Sequence, residues 1–259
     1  MRVDDKPVEI TSDWWIAQPP SKRPSTLEFW RGTGLDGGPI VGLITGLRLL
    51  SGNRKTGVML QTYMLRRDMT PMDATRIGAD SSACGDCQLR HITVKKVLAE
   101  TGKRTARCYV KPHWLTRTWT SWYTGRVYSI SPKELGKIID YLYIPVRQGA
   151  YGDPAAIPLS VWDALNTSSK GTSYSHQWKT VDIKKYAMAS VSNLQEAKEA
   201  QSKGWRTYRV DIEQAGPQAN EIMCPAEPRG VTCAACGLCN GTRGQTAKSI
   251  VIPPIGRFS

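Results

Sequence analysis

At 259 residues, 40% of them apolar, the chain can bury a core of its own, which excludes a scaffold that must be held together by disulfides. Its 35 Lys and Arg against 22 Asp and Glu leave a formal charge of +13, a surface that draws phosphate polyanions without naming one. The charged start MRVDDKPVEITSDWW lacks the apolar stretch of a secretion signal. The longest apolar run, Pro39 to Leu50, is broken by glycines and Arg48 and is too short for a bilayer, so a cytoplasmic protein with no membrane partner is expected.

In chain order, residues 1–38 are rich in Pro and Gly (QPPSKRP, GTGLDGGP) and are expected to form an irregular amino-terminal segment anchored by Trp14, Trp15 and Trp30. PIVGLITGLRLLS and TGVMLQTYML are expected strands joined by a turn at NRKTG. In the second, Val58, Leu60, Thr62 and Met64 alternate with Met59, Gln61, Tyr63 and Leu65. Residues 81–128 stand out as a cysteine and basic–aromatic subdomain, with ARCYV as a strand that ends at Cys108. SPKELGKIIDYL is an expected helix: Ser131 caps it, Pro132 opens it, Glu134 completes a capping box, and Leu135, Ile138, Ile139 and Leu142 make the apolar stripe. YIPVRQGAYG, TSYSHQW, KYAMASVS, WRTYRV and KSIVIPP follow as strands. PLSVWDALN and NLQEAKEAQSKG are helices, the latter capped by Asn193 and stopped at Gly204. Strands alternating with helices predict a parallel sheet in a single α/β domain over 1–259, a (βα)-repeat barrel of TIM type or a partial one, with cysteine-rich metal-binding loops.

Seven cysteines, an odd number, suit a metal site better than a disulfide framework in a reducing compartment. Cys224, Cys233, Cys236 and Cys239 lie within the loop 221–243. Three thiols two residues apart with one remote partner suit an iron–sulfur cluster of the [4Fe–4S] kind, and zinc is the alternative. Cys84, Cys87 and Cys108 form a second set. His91 can complete it as a Cys₃His zinc site; without His91, three thiolates leave an open coordination position, and the plain alternative is a buried Cys108 and a solvated His91.

Function in parallel α/β folds gathers beyond the carboxyl ends of the strands. That places Tyr151, Gly152, Ser190 and Asp211 as cofactor-binding candidates, and Asp153 and His176 as an acid/base pair; a helix cap and a core histidine are their plainer roles. Both cysteine sets are expected to open on that same side. Between Arg90 and Arg126 nine Lys/Arg face one acid, Glu100. Lys95, Lys96, Arg104, Arg107 and Lys111 suit phosphate, and Trp114 and Trp119 suit stacked bases, unless the rings pack the core instead.

At NRKTGVMLQTYML, GADSSACGDCQLR, RCYV, VRQGAYGDPAAIPLSVW, SYSHQW, MASVSNLQEA, GWRTYRV and CPAE…TCAACGLCNG, roughly residues 53–241, the chain resembles a family of uncharacterised phage- and plasmid-borne proteins with cysteine clusters. The resemblance implies a phage or mobile-element origin and no activity. The βα order is also distantly similar to radical-SAM-type barrels. The Cys-x-x-x-Cys-x-x-Cys that would hold their SAM-binding iron is missing, so radical chemistry is a secondary expectation. The leading expectation is an enzyme of nucleotide or DNA-base modification with a thiolate metal centre and nucleic acid as partner. The alternatives are a non-catalytic, zinc-stapled nucleic-acid-binding module and a phage protein that binds a host protein through its Trp-rich surface.

Overall fold

In the computed structural model, which describes residues 7–48, 54–102, 108–165, 171–241 and 247–253, the apolar and β-branched runs pair into one sheet. Its strands are β1 (Glu9–Ile10), β2 (Thr26–Thr33), β3 (Pro39–Thr45), β4 (Leu60–Arg66), β5 (Tyr128–Ile130), β6 (Val146–Tyr151), β7 (Gly171–Ser175), β8 (Met188–Val191), β9 (Thr207–Val210), β10 (Glu221–Met223) and β11 (Ser249–Ile252). The spatial order is β1-β5-β2-β3-β4-β6-β7-β8-β9-β11-β10. Only the β2–β3 and β3–β4 pairings are antiparallel, so every strand but β3 runs the same way and ten carboxyl ends share one rim. The α/β class and the mostly parallel sheet are as expected. The pairings run in a line from β1 to β10, and none joins those two edges among the described residues.

The helices are α1 (Ser12–Ala17), α2 (Pro71–Ile77), α3 (Ser81–Cys84), α4 (His91–Thr101), α5 (Pro112–Tyr123), α6 (Pro132–Leu142), α7 (Leu159–Leu165), α8 (Leu194–Ser202), α9 (Ala226–Arg229) and α10 (Cys233–Cys236). None is long and apolar enough to cross a membrane among the described residues. One sheet face carries Leu27, Phe29, Ile40, Ile44, Leu60, Met64, Ala189 and Val191. It is covered by Trp15 of α1, Leu135 and Ile138 of α6, Trp162 of α7 and Ala200 of α8. The other face carries Val41, Leu43, Leu65 and Tyr151 under Leu115, Trp119 and Trp122 of α5. Further along, the same face is covered by the cysteine loop over Met188, Ile250 and Ile252.

Several local expectations meet the structure differently. The segment 1–38 is less irregular than its Pro and Gly content suggests: β2 is eight residues long and pairs with β3 and β5, because its apolar residues Leu27 and Phe29 are buried. Ser131 caps α6 by accepting the Glu134 amide at 3.3 Å, as expected. The Glu134 carboxylate does not close the capping box; it accepts both the amide and the hydroxyl of Ser12, at 2.9 and 2.6 Å, and fastens α1 to α6. Lys137 and Ser12 hold that carboxyl down to about 2. Cys108 to Val110 are not a strand, since Pro112 starts α5 two residues later; the rest of ARCYV lies outside the described residues. The stretch 81–128 packs into the sheet through α5, whose Leu115, Trp119 and Trp122 recur at helical spacing.

Where β9, β10 and the turn between them meet, Arg209 is wholly buried. It donates to both oxygens of Glu221 at 2.9 and 2.6 Å, to Asp211 at 2.5 Å and to the Gly216 carbonyl at 2.7 Å. The bidentate pair and the satisfied carbonyl offset the desolvation of its charge. Replacing Arg209 with Ala leaves two carboxylates buried without their cation. A loss of about 3–5 kcal/mol in denaturant unfolding is expected, against about 1 kcal/mol or less for Lys96→Ala, which breaks the exposed pair with Glu100.

Candidate functional site

The cavity that gathers the chemistry-bearing residues is built by the turn between α3 and α4. Asp153 donates its amide to the Ala83 carbonyl at 2.7 Å, and the Gln177 side-chain amide donates to the Cys84 carbonyl at 3.2 Å, so α3 is tied across the carboxyl rim beside β6 and β7. Cys87 is turned back by its amide, which donates to Cys84 at 3.3 Å, and the Cys108 amide donates to Leu89 at 2.9 Å. Arg90 locks the turn, pairing with Asp80 at 2.8 Å and donating to the carbonyls of Gly85 and Gly78. Three thiols distant in sequence therefore line one cavity of about 730 Å³, together with His91 and with Tyr151 at the end of β6. The expected second set is thus brought to one wall.

Burial pushes the Cys84 thiol well above its ordinary value, reinforced by Asp80 and by its neighbours Cys87 and Cys108. Burial likewise pushes Cys87 up to about 12 and raises Cys108, although Cys108 as a residue is exposed. Without a metal these thiols stay protonated and make poor nucleophiles at neutral pH. Lys95 and Lys111 also line the cavity, and Trp114, 65% exposed, sits beside it with the Lys111 ammonium 5.5 Å from its ring. His113, which the sequence reading passed over, is on the wall as well; its signal was Pro112, which opens a helix whose first residues face the cavity.

The other expected residues are placed elsewhere. Trp119 is buried, and its indole donates to the Arg66 carbonyl at 2.7 Å, so it is core and has no face free for a base. Lys96 is exposed and pairs with Glu100. Arg104 and Arg107 lie outside the described residues. Gly152 serves the backbone: it has φ +85°, and a Cβ there would stand 2.7 Å from that of Met64. Ser190 is a half-buried residue of β8, and Asp211 belongs to the Arg209 network rather than to a cofactor site.

Asp153 is buried with both oxygens engaged. One accepts from the Ala155 amide and the Ser175 hydroxyl at 3.0 and 2.8 Å, the other from the His176 amide at 2.6 Å. It caps the turn after β6 and pins it to the end of β7, behind α3 and off the cavity wall. Burial pushes the Asp153 carboxyl up and the neighbouring His176 imidazole down. Neither residue lines the cavity, and an acid/base role there has no geometric support.

The carboxy-terminal loop packs on the same face of the sheet, with Cys224 and Cys239 against Met188, Ile250 and Ile252. The Cys233 and Ala234 amides donate to Lys55 and Thr56, just before β4, at 3.2 and 2.9 Å. Ser173 in β7 donates its amide to the Cys239 carbonyl at 2.8 Å, while Cys224 continues β10 by donating to Val251 at 2.8 Å. Cys224 thus follows the carboxyl end of β10, whereas Cys233 and Cys239 are held beside the chain before β4 and the middle of β7. Arg206 fastens the end of this loop, its guanidinium gathering the carbonyls of Leu238, Asn240, Ala247 and Lys248 within 2.6–3.1 Å. The nearby Tyr174 hydroxyl favours the Cys239 thiolate. Burial, with Cys224, Cys233 and Cys236 all in electrostatic reach, pushes Cys239 up to about 12. Beside them on β7, Thr172 is 3% exposed and its hydroxyl has no partner among the described residues. Among the described residues no three His, Cys, Asp or Glu side chains already form a coordination sphere.

Arg147 links the two sets. It lies on the face shared with Tyr151, hydrogen-bonds the exposed Tyr109 beside Cys108, and acts electrostatically on both Cys108 and Cys233. Gly149, with φ +70°, makes this possible: its amide donates to the Thr62 hydroxyl at 3.0 Å, and a bulge lets Arg147 and Tyr151 face Gln61 and Tyr63 on one side of the sheet. Compared with protein-family models, with curated proteins and with solved structures, the chain matches none.

The depressed pKa of His176 has a pH signature. As pH falls below 6.5, the unfolded chain protonates this imidazole before the folded chain does, so stability declines; the raised Asp153 carboxyl acts in the opposite sense only nearer its own range above 3.8. Denaturant midpoints measured across that range are expected to fall less steeply in His176→Asn than in the parent, and an identical slope counts against a histidine held neutral.

Proposed function

We propose that the chain is a thiolate metalloprotein that binds or modifies nucleotides or nucleic acid. Cys224, Cys233, Cys236 and Cys239 would hold an iron–sulfur cluster or zinc, and Cys84, Cys87, Cys108 and His91 a second ion at the cavity. The observation that carries the reading is that Cys224, Cys233 and Cys236 all act electrostatically on Cys239, on the face that also carries the orphaned hydroxyl of Thr172. Thiolates select soft ions, and hydrogen bonds from neighbouring hydroxyls to ligand sulfurs are the usual outer shell of such sites. Metal binding would have to draw the sulfurs into one sphere, as metal binding and local folding are coupled.

The two centres divide the work. The carboxy-terminal set, in a loop that Arg206 ties to the sheet, would act as a staple. The cavity set borders open space and would present its ion to a substrate, where a metal supplies Lewis acidity or an electron. The scaffold is taken as a partial (βα) barrel with the cavity at its carboxyl rim. A phage or mobile-element protein working in the host cytoplasm, where thiols stay reduced, accords with the motif resemblance. The pinned loop also favours the rival of a zinc-stapled, non-catalytic nucleic-acid-binding module.

Anaerobic purification followed by metal analysis and visible spectroscopy separates these. A brown protein that bleaches on reduction carries an iron–sulfur centre, whereas a colourless protein with bound zinc carries the staple of the rival reading. Cys239→Ser is expected to remove the metal of the carboxy-terminal set, and Cys87→Ser only that of the cavity. Metal-free protein after reducing, anaerobic preparation, with Cys239→Ser unchanged in stability, overturns the proposal.

A further inference from the structure

We infer that the cavity is a nucleotide site: a phosphate-bearing planar ring enters it, with the ring against Trp114 and the phosphate between Lys95 and Lys111. The inference rests on the nucleotide reading above and assigns it to particular residues.

The charge balance of the wall comes first. Its two carboxylates are already neutralised, Asp73 by Arg76 at 2.9 Å and Asp80 by Arg90 at 2.8 Å. Lys95 and Lys111 make no ion pair among the described residues, so the uncompensated charge of the cavity is positive and its ligand is an anion. Two helices begin at the same wall, α4 at His91 and α5 at Pro112. Neither has a side-chain cap or an acid in its first turn, so their amide ends add to that field rather than cancel it.

The rim supplies the second half of the recognition. Trp114 is 65% exposed and Tyr109 66%; neither lines the cavity itself, but each adjoins a lining residue in the chain or packs against one, and each leaves a ring open to solvent. Trp114 is held in place without being buried: Lys111 lies over its ring and His113 meets its edge, with ring centroids 5.5 Å apart, and both neighbours line the cavity. Flat faces beside free cations are how nucleotides are held without base-edge readout. At about 730 Å³ the cavity is of the size that encloses one small ligand. A nucleotide seated there would lie against the wall that carries the Cys84, Cys87 and Cys108 thiols.

The same chemistry is offered by a free nucleotide and by one unit of a single strand, and the test separates them. Reduced full-length protein is titrated by fluorescence anisotropy with a fluorescein-labelled single-stranded oligothymidylate over a range of salt concentrations, and by equilibrium dialysis with the nucleoside monophosphates. Metal content is measured on the same samples. Trp114→Ala is expected to weaken binding roughly ten-fold, as loss of one stacked base does. Lys111→Ala is expected to lower the slope of log affinity against log salt by about one. Both positions are exposed, so folding is spared, and Lys133→Ala on α6, across the sheet, is the unchanged control. Binding of monophosphates with this dependence on Trp114 assigns a free nucleotide; binding of the oligonucleotide alone assigns a unit within a strand. Indifference of both probes to Trp114→Ala and Lys111→Ala overturns the inference, as does an absence of binding at low salt. If the protein carries metal and still binds neither probe, this inference fails and the metalloprotein reading stands; if it binds nucleotide in the absence of any metal, the reverse holds.

Discussion

One guanidinium carries the arrangement of the carboxy-terminal loop. A loop of small residues and cysteines has few apolar side chains to bury and many carbonyls to satisfy, and a buried carbonyl without a donor is costly. Arg206, 5% exposed just ahead of β9, donates to four of those carbonyls. Its planar fork is suited to several acceptors at once, where a lysine would offer a single point charge. The sheet face beneath is matched to this cover. Tyr174 and Tyr208, with ring centroids 4.3 Å apart, and Thr172 give it polar edges that a loop can use, whereas α5 packs farther along the same face, where Val41, Leu43 and Leu65 are aliphatic.

The direction of the strands then places the cavity. With all strands but β3 running one way, the carboxyl rim is a single edge, and the turns after β4 and β6 both open there. The cavity forms at that edge because α3, the Asp153 turn and Gln177 interlock across it. The carboxy-terminal loop, fastened at its end by Arg206, packs on the same face against Met188, Ile250 and Ile252. Arg147 spans the two through the bulge at Gly149, so a charge acquired by either set is felt by the same guanidinium. Burial does not set the two apart: Cys224, Cys233 and Cys236 are half-buried like Cys84 and Cys87, while Cys239 is buried and Cys108 exposed.

Placement also explains which site residues could be read from the chain. Cys84, Cys87, Cys108 and His91 were recognisable by spacing and residue type, and the cavity brings them together. Asp153 and His176 were recognisable as polar residues at strand ends. Their position in the motif does not reveal that α3 lies over them, or that three donors already occupy Asp153. Trp119 and Trp114 are the same residue type five positions apart on one helix; the helical period turns one into the core and leaves the other in solvent.

By itself the sequence determined the local elements: the caps at Ser131 and Asn193, the alternation in β4, the helical stripe of α6, and the succession of strands and helices that makes a mostly parallel sheet. These are set by neighbours a few residues away, so they are written in short windows. Only the tertiary structure decided that β2 joins the sheet, that Glu134 serves Ser12 instead of its own cap, and that Asp211 belongs to Arg209. Each of those depends on a partner far off in the chain, and a side chain with several possible partners takes the one that packing brings within reach.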